Sequence, residues 1–178
     1  MTIYDLLIMI YDLLMNSKLK TQNRKSSIDN RQLGISIAAL AIEYADQRVP
    51  YQHRGTSRNG CDCTGLIIGI LRELGYLKKF VLRQYKEDWN LHAGAGNQVI
   101  EELRKVGIEI AKHEATIGDI PVMLFGKCPA HCGIIVARGP VMVHSLKSER
   151  YCKKSVLRKS MWSARWMTTF RLIEEKLK

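Results

Sequence analysis

The chain has 178 residues, 46% hydrophobic and 25% charged, with a formal net charge of +11 and five cysteines. That length supports one sizeable core and an extra terminal element rather than several domains, and five thiols are too few, and odd in number, for a stapled disulfide scaffold. The positive charge favours polyanionic surroundings (nucleic acid, an anionic membrane surface or an anionic cell-wall polymer) without choosing among them.

The first fifteen residues repeat as "IYDLLIM" and "IYDLLM", which places Ile3, Leu6, Leu7, Ile10, Leu13 and Leu14 on one helical face. Asp5 and Asp12 interrupt the run, which is shorter than the roughly 20 apolar residues a membrane span needs. No Lys or Arg precedes it, as a signal peptide requires, so the expectation is a partner-docking helix on a protein made in the cytoplasm without a signal peptide. Polar, aperiodic "NSKLKTQNRKSSIDN" then reads as a linker, dividing residues 1–31 from a domain over 32–175.

From Gln32 the apolar residues Leu33, Ile35, Ile37, Ala38, Leu40, Ala41, Ile42 and Tyr44 predict a helix that stops before Pro50. A second helix is predicted over Cys63 to Leu74, facing inward through Ile67, Ile70, Leu71 and Leu74 and stopped by Gly75, and a third over Gln98 to Lys105, ended by Gly107. After Ile117 the period falls to two. Strands are expected at Ile120 to Phe125, His131 to Ala137, Val141 to Ser145, near Tyr151 to Leu157, and at Trp166 to Ile173. Helices followed by sequential strands describe an α+β domain with helices packed on an antiparallel sheet.

Within "GCDCTGL", Cys63 opens the second helix, where unpaired N–H groups and the positive end of the helix dipole stabilise a thiolate. A small buried hydrophobe is the other reading of such a cysteine. A nucleophile needs a base. If Arg138 and Gly139 form a hairpin turn, Ala137 faces Pro140 and Gly133 faces His144, and His131 and His144 become diagonal neighbours on one sheet face, within ring reach. Two histidines so placed suit a base and its orienting partner, although a single strand histidine is as readily structural.

The blocks "PYQHRGTSRNGCDCTGLIIGILRELG", "IGDIPVMLF", "HCGIIVA" and "VMVHS" resemble, in order, the NlpC family of bacterial cell-wall cysteine peptidases, relatives of the papain fold. Asp88-Trp89 and the terminal "WMTTFRL" resemble the phage-tail branch of that family. The resemblance implies that Cys63 is the nucleophile, His131 the general base and acid, and His144 the residue that orients it. It also implies hydrolysis of amide bonds in peptidoglycan stem peptides, often between D-glutamate and diaminopimelate, with no metal or other cofactor. Action would be at the bacterial cell wall from a phage tail or virion-like particle, with tail proteins as partners of the amino-terminal helix.

Tyr51 is expected to line the cleft or pack in the core, and Asp62 and Thr64 either hold a substrate amine or cap the helix. Gln52-His53 stands where many relatives have an aromatic residue and a glycine, and nothing in its sequence context orients His53. Cys61, Cys128, Cys132 and Cys152 read as packing or incidental thiols. A zinc site drawn from them is disfavoured, because it lacks C-x-x-C knuckles and Cys132 alternates to the sheet face opposite His131. The carboxy-terminal stretch from Lys147 mixes Lys and Arg with Trp162, Trp166 and Phe170, which suits anionic wall polymers better than nucleic acid. The rival function is a non-catalytic tail-assembly or wall-binding module that keeps the fold.

Overall fold

The computed structural model describes residues 29–76, 98–126, 128–158 and 161–178. The amino-terminal repeat, nearly all of the linker and Asp88-Trp89 lie outside the described residues. Helix α1 covers 29–46 and turns Leu33, Ile37, Ala38, Ala41 and Tyr44 inward. A short hairpin, β1 (Thr56–Ser57) and β2 (Gly60–Cys61), leads into α2 (Cys63–Glu73), which ends as expected at Gly75 with a left-handed φ of 85°. Helix α3 (Gln98–Val106) runs directly into a strand that alternation did not reveal, β3 (Gly107–Ile110), whose Ile108 and Glu109 are exposed at a sheet edge.

The remaining elements are β4 (Ile120–Phe125), β5 (Cys128–Cys132), β6 (Ile134–Ala137), β7 (Val141–Ser145), β8 (Cys152–Val156), the one-turn α4 (Met161–Arg165), β9 (Trp166–Leu172) and α5 (Glu174–Leu177). All pairings between these strands are antiparallel, in a four-stranded sheet ordered β3-β9-β4-β5 and a three-stranded sheet ordered β6-β7-β8. The single strand expected over His131 to Ala137 is two strands, because the chain leaves one sheet for the other at Gly133. A Cβ on Gly133 would stand 2.8 Å from the Val143 carbonyl oxygen and 3.2 Å from the His144 Cβ, closer than a side chain tolerates.

The β6–β7 hairpin keeps most of its expected register, with Ile134 opposite Val143 and Ile135 opposite Met142. A shift between Ile135 and Ala137 then sets Ala137 against Val141 rather than Pro140. The bulge lies on the turn side, so the histidine end of the hairpin keeps the simple two-residue-loop register.

Two apolar clusters fill the molecule. The larger joins the inner faces of α1, α2 and α3 to Ile120, Val122, Ile134, Val143, Phe170 and Leu172 of the sheets. The smaller gathers Met123, Ile135, Met142, Leu157, Trp162 and Trp166 under α4. Leu177 is buried in the larger cluster and the Glu174 N–H donates to Asn30 Oδ1 at 2.9 Å, so the packed unit reaches to residues 30 and 177. Among the described residues no helix is long and apolar enough to cross a membrane.

Candidate active site

Asp62 has the extended backbone of an N-cap, and its buried carboxylate holds the tip of α2. Oδ1 accepts from the Gly65 N–H at 2.8 Å and from the Thr64 hydroxyl at 3.1 Å, while Oδ2 accepts from the Arg54 N–H at 2.7 Å. Of the two readings open for Asp62 and Thr64, this geometry is that of a cap. His53 stands 3.9 Å from Asp62 Oδ2, an orientation its sequence context did not reveal. Tyr51 is half-buried and bridges Cys61 through its backbone, two residues before Cys63.

The strand entering α2 is fixed from behind. The Ser145 hydroxyl donates to the Cys61 carbonyl at 2.7 Å, and the Cys152 N–H donates to the Val49 carbonyl at 2.8 Å. The buried Cys61 and Cys152 sulfurs are 3.4 Å apart, a thiol contact that pushes the Cys61 thiol up and the Cys152 thiol down. Through these contacts the α2 tip is held in register with β7, which carries the second histidine, and with its neighbour β8.

Cys63 is the first residue of α2 and is half-buried. Hydrogen bonding from Cys132, then from His131 together with the His131 charge, outweighs burial and the neighbouring Asp62 charge and brings the Cys63 thiol down to about 5. Cys132 is pushed up by the same contact, the opposite direction to Cys63. Cys132 packs in the larger core while His131 turns toward Trp162, opposite faces as alternation requires, yet Cys63 has a hydrogen-bonding neighbour in each. Cys132 is thus a core residue, as expected, that also neighbours Cys63.

His131 Nε2 and His144 Nδ1 are 3.1 Å apart, and His144 Nε2 is 2.9 Å from the Ser155 hydroxyl oxygen. The rings are 2% and 0% exposed. Trp162 stacks on His131 at 5.6 Å and meets His144 edge-on at 4.8 Å, and Phe125 closes the far side of His131 at 5.4 Å. Burial first, then the neighbouring His131 and Lys153 charges, brings His144 down to about 3, so it is neutral at physiological pH. His131 and His144 are thus in direct contact, the neighbourhood the hairpin register allowed, and the Cys63 thiol lies within electrostatic reach of His131. Trp162, Phe125 and Ser155 were not singled out for it; a β7–β8 register would have found Ser155, but no local signal brings α4 over the imidazoles.

All five cysteines are free thiols, and among the described residues no three His, Cys, Asp or Glu side chains converge as a metal cage. The arrangement is a cysteine of lowered pKa on a helix N-terminus near a buried imidazole pair, groups whose chemistry suits nucleophilic attack and proton transfer.

Comparison with known proteins bears on the same residues. A search of curated proteins found no match. Among solved structures the chain is similar to the NlpC/p60 domain of the peptidoglycan hydrolase SagA, at 18% identity and a TM-score of 0.51, over 77% of this chain and 97% of that one. It is similar to the P60 domain of antigen MAP1204 from M. avium subspecies paratuberculosis at 20% identity and a TM-score of 0.54, over 82% and 98% of the two chains. A third likeness, to an NlpC/P60 family protein from Bacillus cereus ATCC 10987, has 20% identity and a TM-score of 0.58 over 79% of this chain. There the chain spans only 40% of the longer protein. At such identities the likeness establishes a common fold, α+β with helices packed on antiparallel sheets. The NlpC/P60 family model matches residues 48–171, a stretch that includes the α2 tip, both histidine strands and all but the last residue of β9. By that match, over more than two thirds of its length, the chain belongs to the NlpC/P60 family.

Proposed function

We propose that the protein is a cysteine peptidase that hydrolyses amide bonds in peptidoglycan stem peptides. The observation that carries this reading is the buried His131–His144 pair, 3.1 Å apart, together with a Cys63 thiol at the tip of α2 that Cys132 and His131 draw down. Family membership supports it independently.

The Cys63 thiolate attacks the amide carbon, and the oxyanion that forms is met by the Cys63 backbone N–H, which at the first position of a helix has no intrahelical acceptor. Protonated His131 gives its proton to the leaving amine, the C–N bond breaks, and a thioester remains on Cys63. Neutral His131 then takes a proton from water as its oxygen attacks the thioester; the carboxylic acid leaves and the thiolate and imidazolium are restored. His144 holds the His131 ring throughout. Tyr51, half-buried beside the helix tip, is assigned to the substrate cleft; Asp62 contributes through the cap, and Thr64, whose hydroxyl bonds that capping carboxylate, borders the same cleft.

A D-glutamyl-diaminopimelate bond is the proposed scissile link, and a phage-tail or gene-transfer particle the proposed carrier; residues 1–31 would supply the helix that docks a tail partner, and 32–175 the peptidase. The net charge of +11 supports attraction to anionic wall polymers. The test is amine release from purified peptidoglycan by the parent and by Cys63→Ala, with mass spectrometry of the released muropeptides. The parent should release amines and the variant should fall to background. Equal release by both, or none by the parent, would leave the wall-binding module as the better account.

A further inference from the structure

We propose that Ser155 is a positioning residue of the site, the acceptor that selects the tautomer of His144 and through it aims His131 at Cys63. This rests on the peptidase reading above. Two distances and one rule about imidazole carry it. A neutral imidazole has one N–H donor and one bare acceptor nitrogen, and the partner of one nitrogen decides the role of the other.

His131 Nε2 contacts His144 Nδ1 at 3.1 Å, which leaves Nδ1 of His131 as the nitrogen available to the Cys63 sulfur. For His131 Nδ1 to exchange a proton with Cys63, its Nε2 must keep its own proton, whether the ring carries one or two. His131 Nε2–H therefore donates, and His144 Nδ1 must be bare to accept. The single proton of neutral His144 then lies on Nε2, which points at the Ser155 oxygen 2.9 Å away. The Ser155 oxygen accepts a hydrogen bond from that N–H and turns its own hydroxyl hydrogen elsewhere, which the half-exposed position on edge strand β8 permits.

The opposite tautomer would put two N–H groups head to head at 3.1 Å and leave His144 Nε2 bare. Such a ring would hold His131 with its proton on Nδ1 and its lone pair on Nε2, facing the sulfur as a donor only, unable to take a proton from it. The charged groups around His144 also favour the neutral form: His131 presses on it from β5, and Lys153 lies opposite it on β8 with its ammonium drawn 2.6 Å from Glu149. Trp162 from α4 covers the rings and offers them no acceptor closer than the serine.

The test uses full-length parent, Ser155→Ala and Ser155→Thr. Threonine keeps the hydroxyl and can turn its methyl to solvent at the sheet edge; alanine removes the acceptor. The expected result is a fall in kcat of about tenfold for Ser155→Ala with KM near the parent's, and recovery in Ser155→Thr. Histidine-selective 15N NMR on the Cys63→Ala background reads the tautomer without needing turnover. It should show the His144 proton on Nε2 with serine or threonine at 155, and a mixture or the Nδ1 form with alanine. An unchanged His144 tautomer in Ser155→Ala, or a Thr variant as slow as the Ala one, overturns the proposal. A parent that does not cleave peptidoglycan overturns the peptidase reading instead, and leaves the NMR comparison standing.

Discussion

At the residue scale the decisive quantity is the charge on one sulfur. An ordinary cysteine thiol ionises near 8.5, and alkylation slows tenfold for each pH unit below that. Cys63 is held down to about 5 by Cys132 first and His131 second, against burial and Asp62. The reactive form is the deprotonated one, so its rate with iodoacetamide should stay level from pH 8 to pH 6 and fall only on approaching pH 5. Cys132→Ala removes the larger of the two hydrogen bonds and should move that fall upward by about one pH unit or more. A parent midpoint near 8.5 would dismiss the ionised helix tip. Cys63 could be picked out in the sequence because an Asp-Cys-Thr-Gly run before an apolar stripe states both the cap and the helix start. Cys132 could not, because alternation assigns its face correctly but is silent about a helix tip that reaches both faces' residues.

At the element scale the site depends on how closely α2 is drawn onto the hairpin before it. A Cβ on Gly65 would collide with the Gly55 carbonyl oxygen and come within 3.1 Å of Asp62 Oδ1, the atom that caps the helix. Backbone cannot yield as a side-chain end does, so Gly65→Ala should cost about 1 to 3 kcal/mol of stability and lower the thermal midpoint by several degrees. It should also reduce alkylation of Cys63 near pH 6, because the cap and the helix tip shift together. An alanine variant with the parent's midpoint would show that the approach is looser than described. The far end of α2 is held by a charged cluster: Arg58 reaches Glu73 at 2.7 Å and Glu43 at 2.9 Å, and the Tyr44 hydroxyl donates to Glu73 at 2.7 Å. The helices and most strands were legible because each buries one face, with a period of 3.6 or 2. β3 was not, since a four-residue edge strand with Ile108 and Glu109 exposed and only Gly107 buried lacks that alternation. The break at Gly133 was hidden for a different reason: "HCGIIVA" alternates acceptably as one strand, and only the crowding against Val143 shows why the chain must bend there.

At the scale of the whole molecule, burying a neutral histidine makes folding depend on acid. His144 is fully buried and brought down to about 3, while in the unfolded chain it titrates near 6.5. Between those values the unfolded chain binds the proton and the native protein does not, so stability falls as pH drops from 6.5 toward 3. At pH 5 the His144 contribution amounts to about 2 kcal/mol relative to neutral pH. Cys63 acts in the same direction over a higher window, because its native thiolate is favoured above about 5 and the unfolded thiol persists to about 8.5. Urea unfolding at pH 7.5 and pH 5 should thus show a marked loss in the parent. In His144→Gln the loss between the same two pH values should be smaller by about 2 kcal/mol, whatever the variant's absolute stability, because glutamine does not titrate. If parent and variant lose the same amount, the imidazole is not held neutral in the native state. Its Nδ1 would then carry a proton on the side facing His131, and the contact between the two imidazoles would be broken.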